Sequence, residues 1–152
     1  MIGILKGSIV NTDKDFFAVH GLNGLTDMSV SNCLFCDSVD SNFLLPIKTN
    51  TLHRAHISNF NGILITDDLL LAQELIYTTY AKKRFIYLYH LEWPFIDDLR
   101  FTHLKSLFLS DHIELIARSK QHAQLIEKLF KAPKYIMSEL NHQTLREIDE
   151  NE

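Results

Sequence analysis

The sequence predicts an α/β fold, a single Rossmann-like three-layer domain with a largely parallel sheet and an irregular, strand-rich N-terminal part. Two observations carry that expectation. In the second half, three apolar runs each end in a polar cluster: Gly62-Ile63-Leu64-Ile65 at Thr66-Asp67-Asp68, 84–89 at His90-Leu91-Glu92-Trp93, and 113–117 at Arg118-Ser119-Lys120-Gln121-His122. Each cluster is followed closely by a stretch with helical spacing, the rhythm of alternating β and α elements. The runs are also apolar at nearly every position, as in strands buried on both faces by helices.

The elements follow in order. Across 1–60, Ile2-Gly3-Ile4-Leu5, Gly7-Ser8-Ile9-Val10 and Phe16-Phe17-Ala18-Val19 read as strand, and Gly21, Asn23 and Gly24 as turn or loop. Cys33-Leu34-Phe35-Cys36 and Phe43-Leu44-Leu45 read as short strands before Pro46. From Thr66 or Asp67, either a competent cap, Leu69, Ala72, Leu75, Ile76 and Tyr80 form a helical stripe over 67–81, closed by Lys82-Lys83. After strand 85–89, Asp97-Asp98 open a second helix carrying Leu104, Leu107 and Phe108. Strand 113–117 leads into a helix over 119–131, capped by Ser119, with Ala123, Ile126, Leu129 and Phe130 as its buried stripe. Tyr135-Ile136-Met137 is a last strand, and Asn141 caps a short helix that frays into an acidic tail. The expected division is one domain over 1–152, with β-α repeats over 61–145 and the tail over 146–152.

Composition narrows the function. The chain has 152 residues, a formal charge of −4 and 22% charged residues. That balance argues against broad electrostatic binding of nucleic acid or an anionic membrane. No run of about 18 apolar residues marks a membrane span. The N-terminus lacks a secretory pattern, so a cytoplasmic location is expected. Two cysteines make no disulfide framework.

Candidate chemistry sits at the strand ends, where ligands bind in open α/β sheets. Thr66 and Asp68 form either a helix cap or a polar rim. His90 and Glu92, beside Trp93, are the candidate catalytic pair, Glu92 as base or hydroxyl acceptor; the plain alternative is a loop in which Trp93 closes the core. Arg118, Ser119 and His122 lie where an anion meets a helix N-terminus, though Ser119 as cap and Arg118 in a surface ion pair serve equally. No glycine-rich loop precedes them. Cys33 and Cys36 with His53 and His56 could bind zinc, but strand alternation sends the two thiols to opposite faces, so packing is the expected role and neither metal nor cofactor is expected.

The strings 59–66, 85–93 and Ile113-Glu114-Leu115-Ile116-Ala117-Arg118-Ser119 with His122 resemble the N-terminal Rossmann-like half of GT-B glycosyltransferases, and small glycosyltransferase-like proteins of tailed phages most of all. The resemblance covers about residues 52–145. It implies a domain that binds a sugar, nucleotide or nucleotide sugar and borders a second domain through Thr66, His90, Glu92, Arg118 and Ser119. The chain has room for one such domain, so it would be incomplete as a transferase alone. A homo-oligomer or protein partner would complete it, in the host cytoplasm if the protein is phage-encoded. The alternatives are a non-catalytic interaction or effector protein acting on a host protein, and the zinc protein.

Overall fold

The structure, a computed structural model, describes residues 1–91 and 98–152. Seven strands form one parallel sheet: β1 (Ile2–Leu5), β3 (Asn32–Cys36), β5 (Asn50–His53), β6 (Ile63–Thr66), β7 (Lys83–Leu88), β8 (Glu114–Ala117) and β9 (Tyr135–Ile136). Their spatial order is β5-β3-β1-β6-β7-β8-β9. From β1 the chain first winds outward through β3 to β5, then returns to the other side of β1 and winds outward again. A second ladder, β2 (Ser8–Ile9) with β4 (Ser38–Val39), continues the β1–β3 pairing past the carboxyl end of the sheet, joined also by a Ser8–Ser38 hydroxyl contact of 2.9 Å.

Alternation along the strands builds two cores. On one face Ile2, Ile4, Leu34, Ile65, Phe85 and Tyr87 meet α1 (Asp13–Asp27) and α4 (His142–Asn151). On the other, Leu5, Phe35, Leu64, Ile86, Leu88 and Leu115 meet α2 (Asp98–Phe108), Ile126 of α3 (Lys120–Leu129) and two 3-10 segments, Arg54–Asn59 and Ala72–Tyr77. The expected parallel neighbours 62–66, 84–89 and 113–117 are thus β6, β7 and β8. Cys33 and Cys36 fall in opposite cores, as alternation requires.

Three local expectations are corrected. Phe16-Phe17-Ala18-Val19 lies in helix α1, not a strand, and Gly21, Asn23 and Gly24 are helical rather than a turn. Those glycines serve close packing: a Cβ on Gly21 would sit 2.1 Å from the Leu140 carbonyl, and one on Gly24 2.6 Å from His142 Cβ. The Asn23 side chain donates to Pro46 O at 2.7 Å and accepts from Lys48 N at 2.8 Å, pinning the loop before β5. Segment 43–45 is loop, with Leu44 83% exposed. The stripe after Asp67 forms only the 3-10 turn Ala72–Tyr77; Leu71, Ala72 and Leu75 are buried, while Ile76 and Tyr80 face solvent.

The C-terminal helix does not fray. Asn141 Oδ1 accepts from the Gln143 and Thr144 amides, both at 3.0 Å, and α4 runs to Asn151. The Glu152 carboxylate is held by Lys83, Lys134 and the Tyr135 hydroxyl.

Replacing Gly21 with Ala forces a β-carbon against a backbone carbonyl, so the strain cannot be relieved by a side-chain rotation. A loss of about 1–3 kcal/mol is expected, the usual scale for overpacking. Gly7→Ala is the control, since its nearest contact would be an ordinary 3.5 Å to Asp68. Urea denaturation should show a lower midpoint for Gly21→Ala at unchanged slope and little change for Gly7→Ala.

Candidate functional site

The carboxyl ends of β1, β6, β7 and β8 lie side by side, and the chain reverses its winding between β1 and β6. Such a reversal leaves a crevice, because the connections leaving the two strands cover opposite faces of the sheet. Here a cleft of about 270 Å³ opens between them, lined by Lys6, Gly7, Thr12, Asp15, Asp67 and Asp68 among others.

Its floor is an ion cluster. Lys6 follows β1, Asp67 follows β6, and Asp15 lies in the first turn of α1. Lys6 Nζ is 2.7 Å from Asp15 Oδ1, 2.7 Å from Asp67 Oδ1 and 2.8 Å from Asp67 Oδ2, with all three side chains buried. The aligned hydrogen bond goes to Asp67 Oδ2; Oδ1 has the charge contact alone. Asp15 Oδ2 accepts from Val10 N at 3.1 Å and from the Thr12 hydroxyl at 2.8 Å, and Thr12 caps α1 by accepting from Asp15 N. Burial pulls the Lys6 ammonium down, but two carboxylates outweigh it and its pKa ends above the ordinary value. Burial drives Asp67 the other way and raises its pKa, with Lys6 and Lys14 opposing and Asp15 reinforcing the rise. Two acids facing one ammonium share an excess of negative charge, which both directions express.

A second group of residues follows β7 and β8, one and two strands away from β6. The Arg118 guanidinium stacks over the Tyr89 ring at 4.2 Å from its centroid, and the His90 ring meets Tyr89 edge-on at 4.6 Å. Ser119 caps α3, its hydroxyl accepting from His122 N at 3.2 Å. Burial, then Arg118 and His90, lower the His122 pKa. The His122 Nδ1 atom is buried with no hydrogen-bond partner.

The structure therefore brings together His90, Arg118, Ser119 and His122, and places Asp68 in the neighbouring cleft. Thr66 does not line a ligand site: it is fully buried, its hydroxyl donating to Leu5 O at 2.9 Å and accepting from Asp68 N at 3.2 Å. Glu92, with Trp93, lies outside the described residues. Sequence reading overlooked Lys6 and Asp15 and took Asp67 for a cap. The signal was present as Thr12-x-x-Asp15, a helix-opening pattern, and as a lysine directly after a buried strand. Zinc binding through Cys33, Cys36, His53 and His56 is not supported, because the thiols line opposite cores and, among the described residues, no three His, Cys, Asp or Glu side chains converge. Burial raises the thiol of Cys33 to about 12, so it stays protonated and inert. No helix among the described residues is long and apolar enough to cross a membrane.

A scan of protein-family models and searches of curated proteins and of solved structures found no match to this chain.

Replacing Lys6 with Met leaves two buried carboxylates without their cation. A loss of about 3–5 kcal/mol is expected near neutral pH, the usual result of breaking a buried pair. The deficit is set by carboxylates that must ionise in the fold. With the cation gone the Asp67 carboxyl, already raised by burial, rises further, and a raised acid favours the fold below its unfolded pKa and loses that advantage as pH rises. Chemical denaturation should therefore show the variant approaching the parent as pH falls toward about 4, the ordinary carboxylate range. A deficit that is the same at both pH values would show that packing, not charge, is the cause.

Proposed function

We propose that this chain is a glycosyltransferase-like domain of the GT-B type, which binds a sugar, nucleotide or nucleotide sugar across the carboxyl edge of its sheet. The observation that carries the reading is the cleft at the β1/β6 reversal, with a cationic group of residues on the same edge. Carboxylates such as Asp68 accept hydroxyl hydrogen bonds, and Arg118 with the start of α3 attracts an anion. From β1 to β8 is three strand spacings, about 14 Å, so one extended ligand with a hydroxyl-rich end and a charged end fits along the edge. Transfer then requires a second nucleotide-binding body, supplied by another copy or a partner, and the same reading places the protein in the cytoplasm.

A second reading is an interaction protein without chemistry, for example a phage effector that docks on a host protein. It is favoured by the exposed apolar side chains of Leu70, Tyr77 and Tyr80, which are 74%, 77% and 67% accessible. Large exposed apolar groups close in sequence are a common mark of a docking face.

Thermal denaturation in the presence of nucleotide sugars separates the two. A ligand at a hundred times its dissociation constant stabilises the fold by about 2.7 kcal/mol. The first reading expects such a shift with at least one nucleotide sugar, reduced by Asp68→Asn. No shift with any nucleotide, sugar or nucleotide sugar, together with loss of partner capture on Tyr77→Ser and Tyr80→Ser, establishes the second.

A further inference from the structure

We infer that His90, Arg118, His122 and the first turn of α3 form a seat for the phosphate group of a small ligand, and that the bound phosphate draws a proton onto His122. The inference rests on the carboxyl edge as the binding edge but not on a sugar being bound there.

Three independent features meet at this place. First, Arg118 is half-buried and, among the described residues, pairs with no carboxylate; its recorded partner is the face of Tyr89. Stacking fixes the plane of the guanidinium and leaves its N–H groups at the rim directed along that plane, the presentation that suits a tetrahedral oxyanion. In a chain of net charge −4, a half-buried arginine whose contact among the described residues is an aromatic face and not a carboxylate is an unusual arrangement. Second, α3 is ten residues long and begins beside Arg118. Ser119 engages the His122 amide and the Ser119 carbonyl accepts from Ala123, so the amides of Lys120 and Gln121 are the first-turn donors left at the helix start. Third, His122 Nδ1 is shut from solvent and lacks a partner, an arrangement that is costly until a hydrogen-bonding or charged group arrives.

The surroundings set the sign of the proton coupling. Among the described residues, Arg118, from the loop after β8, and His90, from the loop after β7, are the charged and titratable groups set against His122. Tyr89 packs on both of them, and Lys120 is exposed on the same turn of α3. Glu139 and Asp67 act one step further away, on Tyr87. With the seat empty, burial and the neighbouring Arg118 and His90 hold the His122 pKa below its ordinary value. A dianion between Arg118 and His122 reverses the local field and favours the imidazolium. Binding must then take up a proton, and affinity must rise as pH falls toward the ordinary histidine range, about 6.5. No bond is made or broken; the proton comes from solvent.

Calorimetric titration of the full chain with inorganic phosphate tests this. The experiment is run at several pH values and in two buffers of different ionisation enthalpy, which together count the protons taken up. Sulfate is run in parallel, because it stays a dianion across the range in which inorganic phosphate takes up its second proton, so proton uptake with sulfate belongs to the protein. Saturable binding of both anions is expected, tightening at lower pH with proton uptake. Arg118→Gln should weaken it by about tenfold or more, the scale of one charge-assisted hydrogen bond. Arg118→Lys should restore part of the loss. His122→Gln should retain binding but abolish the proton uptake, which a purely structural histidine would not do. Melting temperatures close to the parent establish that the variants are folded; a variant that melts early is replaced by following the His122 ring resonances of the parent during the titration, which must move to the protonated position. Absence of saturable binding, indifference to Arg118→Gln, or unmoved His122 resonances overturns the seat. If nucleotide sugars stabilise the protein while phosphate and sulfate do not bind, the seat is wrong and the carboxyl-edge reading survives. Phosphate binding without any sugar response leaves the seat standing alone.

Discussion

An ammonium group enclosed by two carboxylates holds this fold at its turning point. Lys6 belongs to the segment leaving β1, Asp67 to the segment leaving β6, and Asp15 to the helix that covers one face. The three would otherwise be free to splay, because the winding direction reverses between those two strands. Charges in a low-dielectric interior tolerate little displacement, since each must keep its partner or be re-solvated. The Thr66 hydroxyl on the Leu5 carbonyl adds a neutral stitch between the same strands. The crevice walls are thus held by polar contacts, while the layers behind them are held by apolar ones.

That arrangement distributes charge unevenly along one edge of the sheet. The β1/β6 side carries three aspartates, with Lys6 enclosed among them and Lys14 beside them; among the described residues the β7/β8 side carries Arg118, His90 and His122. Tyr87 feels both, through Arg118 on one side and Asp67 on the other, so the two groups are neighbours in the electrostatic sense. Under the proposed reading, an uneven edge of this kind would favour one orientation of a ligand that is charged at one end.

Much of the sheet was legible because its strands are buried on both faces, which leaves unbroken apolar runs that no helix or loop would need. Burial of β6, β7 and β8 on two sides is visible in Ile63-Leu64-Ile65, Phe85-Ile86-Tyr87-Leu88 and Leu115-Ile116-Ala117 alike. Helix α1 was not legible for the opposite reason. It packs on the sheet beside α4, its glycines answer the approach of Leu140 and His142 that only tertiary structure supplies, and Asn23 serves a distant loop. The segment after Asp67 misled in turn, because its apolar spacing fits a helix while Ile76 and Tyr80 point outward. At the site, residue types at strand ends pointed to Arg118, Ser119, His90 and His122. The place of Lys6 directly after a buried strand was a signal, but its pairing with Asp67, 61 positions away, is not written in any local pattern.

The position of β1 inside the strand order has a consequence for how the molecule is made. Ile2 pairs with Asn32 on one side and with Ile63 on the other, so β1 stays half unpaired after its own synthesis until β6 has also been made. Until then the nascent chain exposes an apolar ribbon, Ile2 through Leu5, with one open edge. Pairings so distant in sequence close slowly, because the loop entropy must be overcome before the contacts reward it. An open edge of that kind favours edge-to-edge association, and the arrival of β6 is the event that ends the exposure.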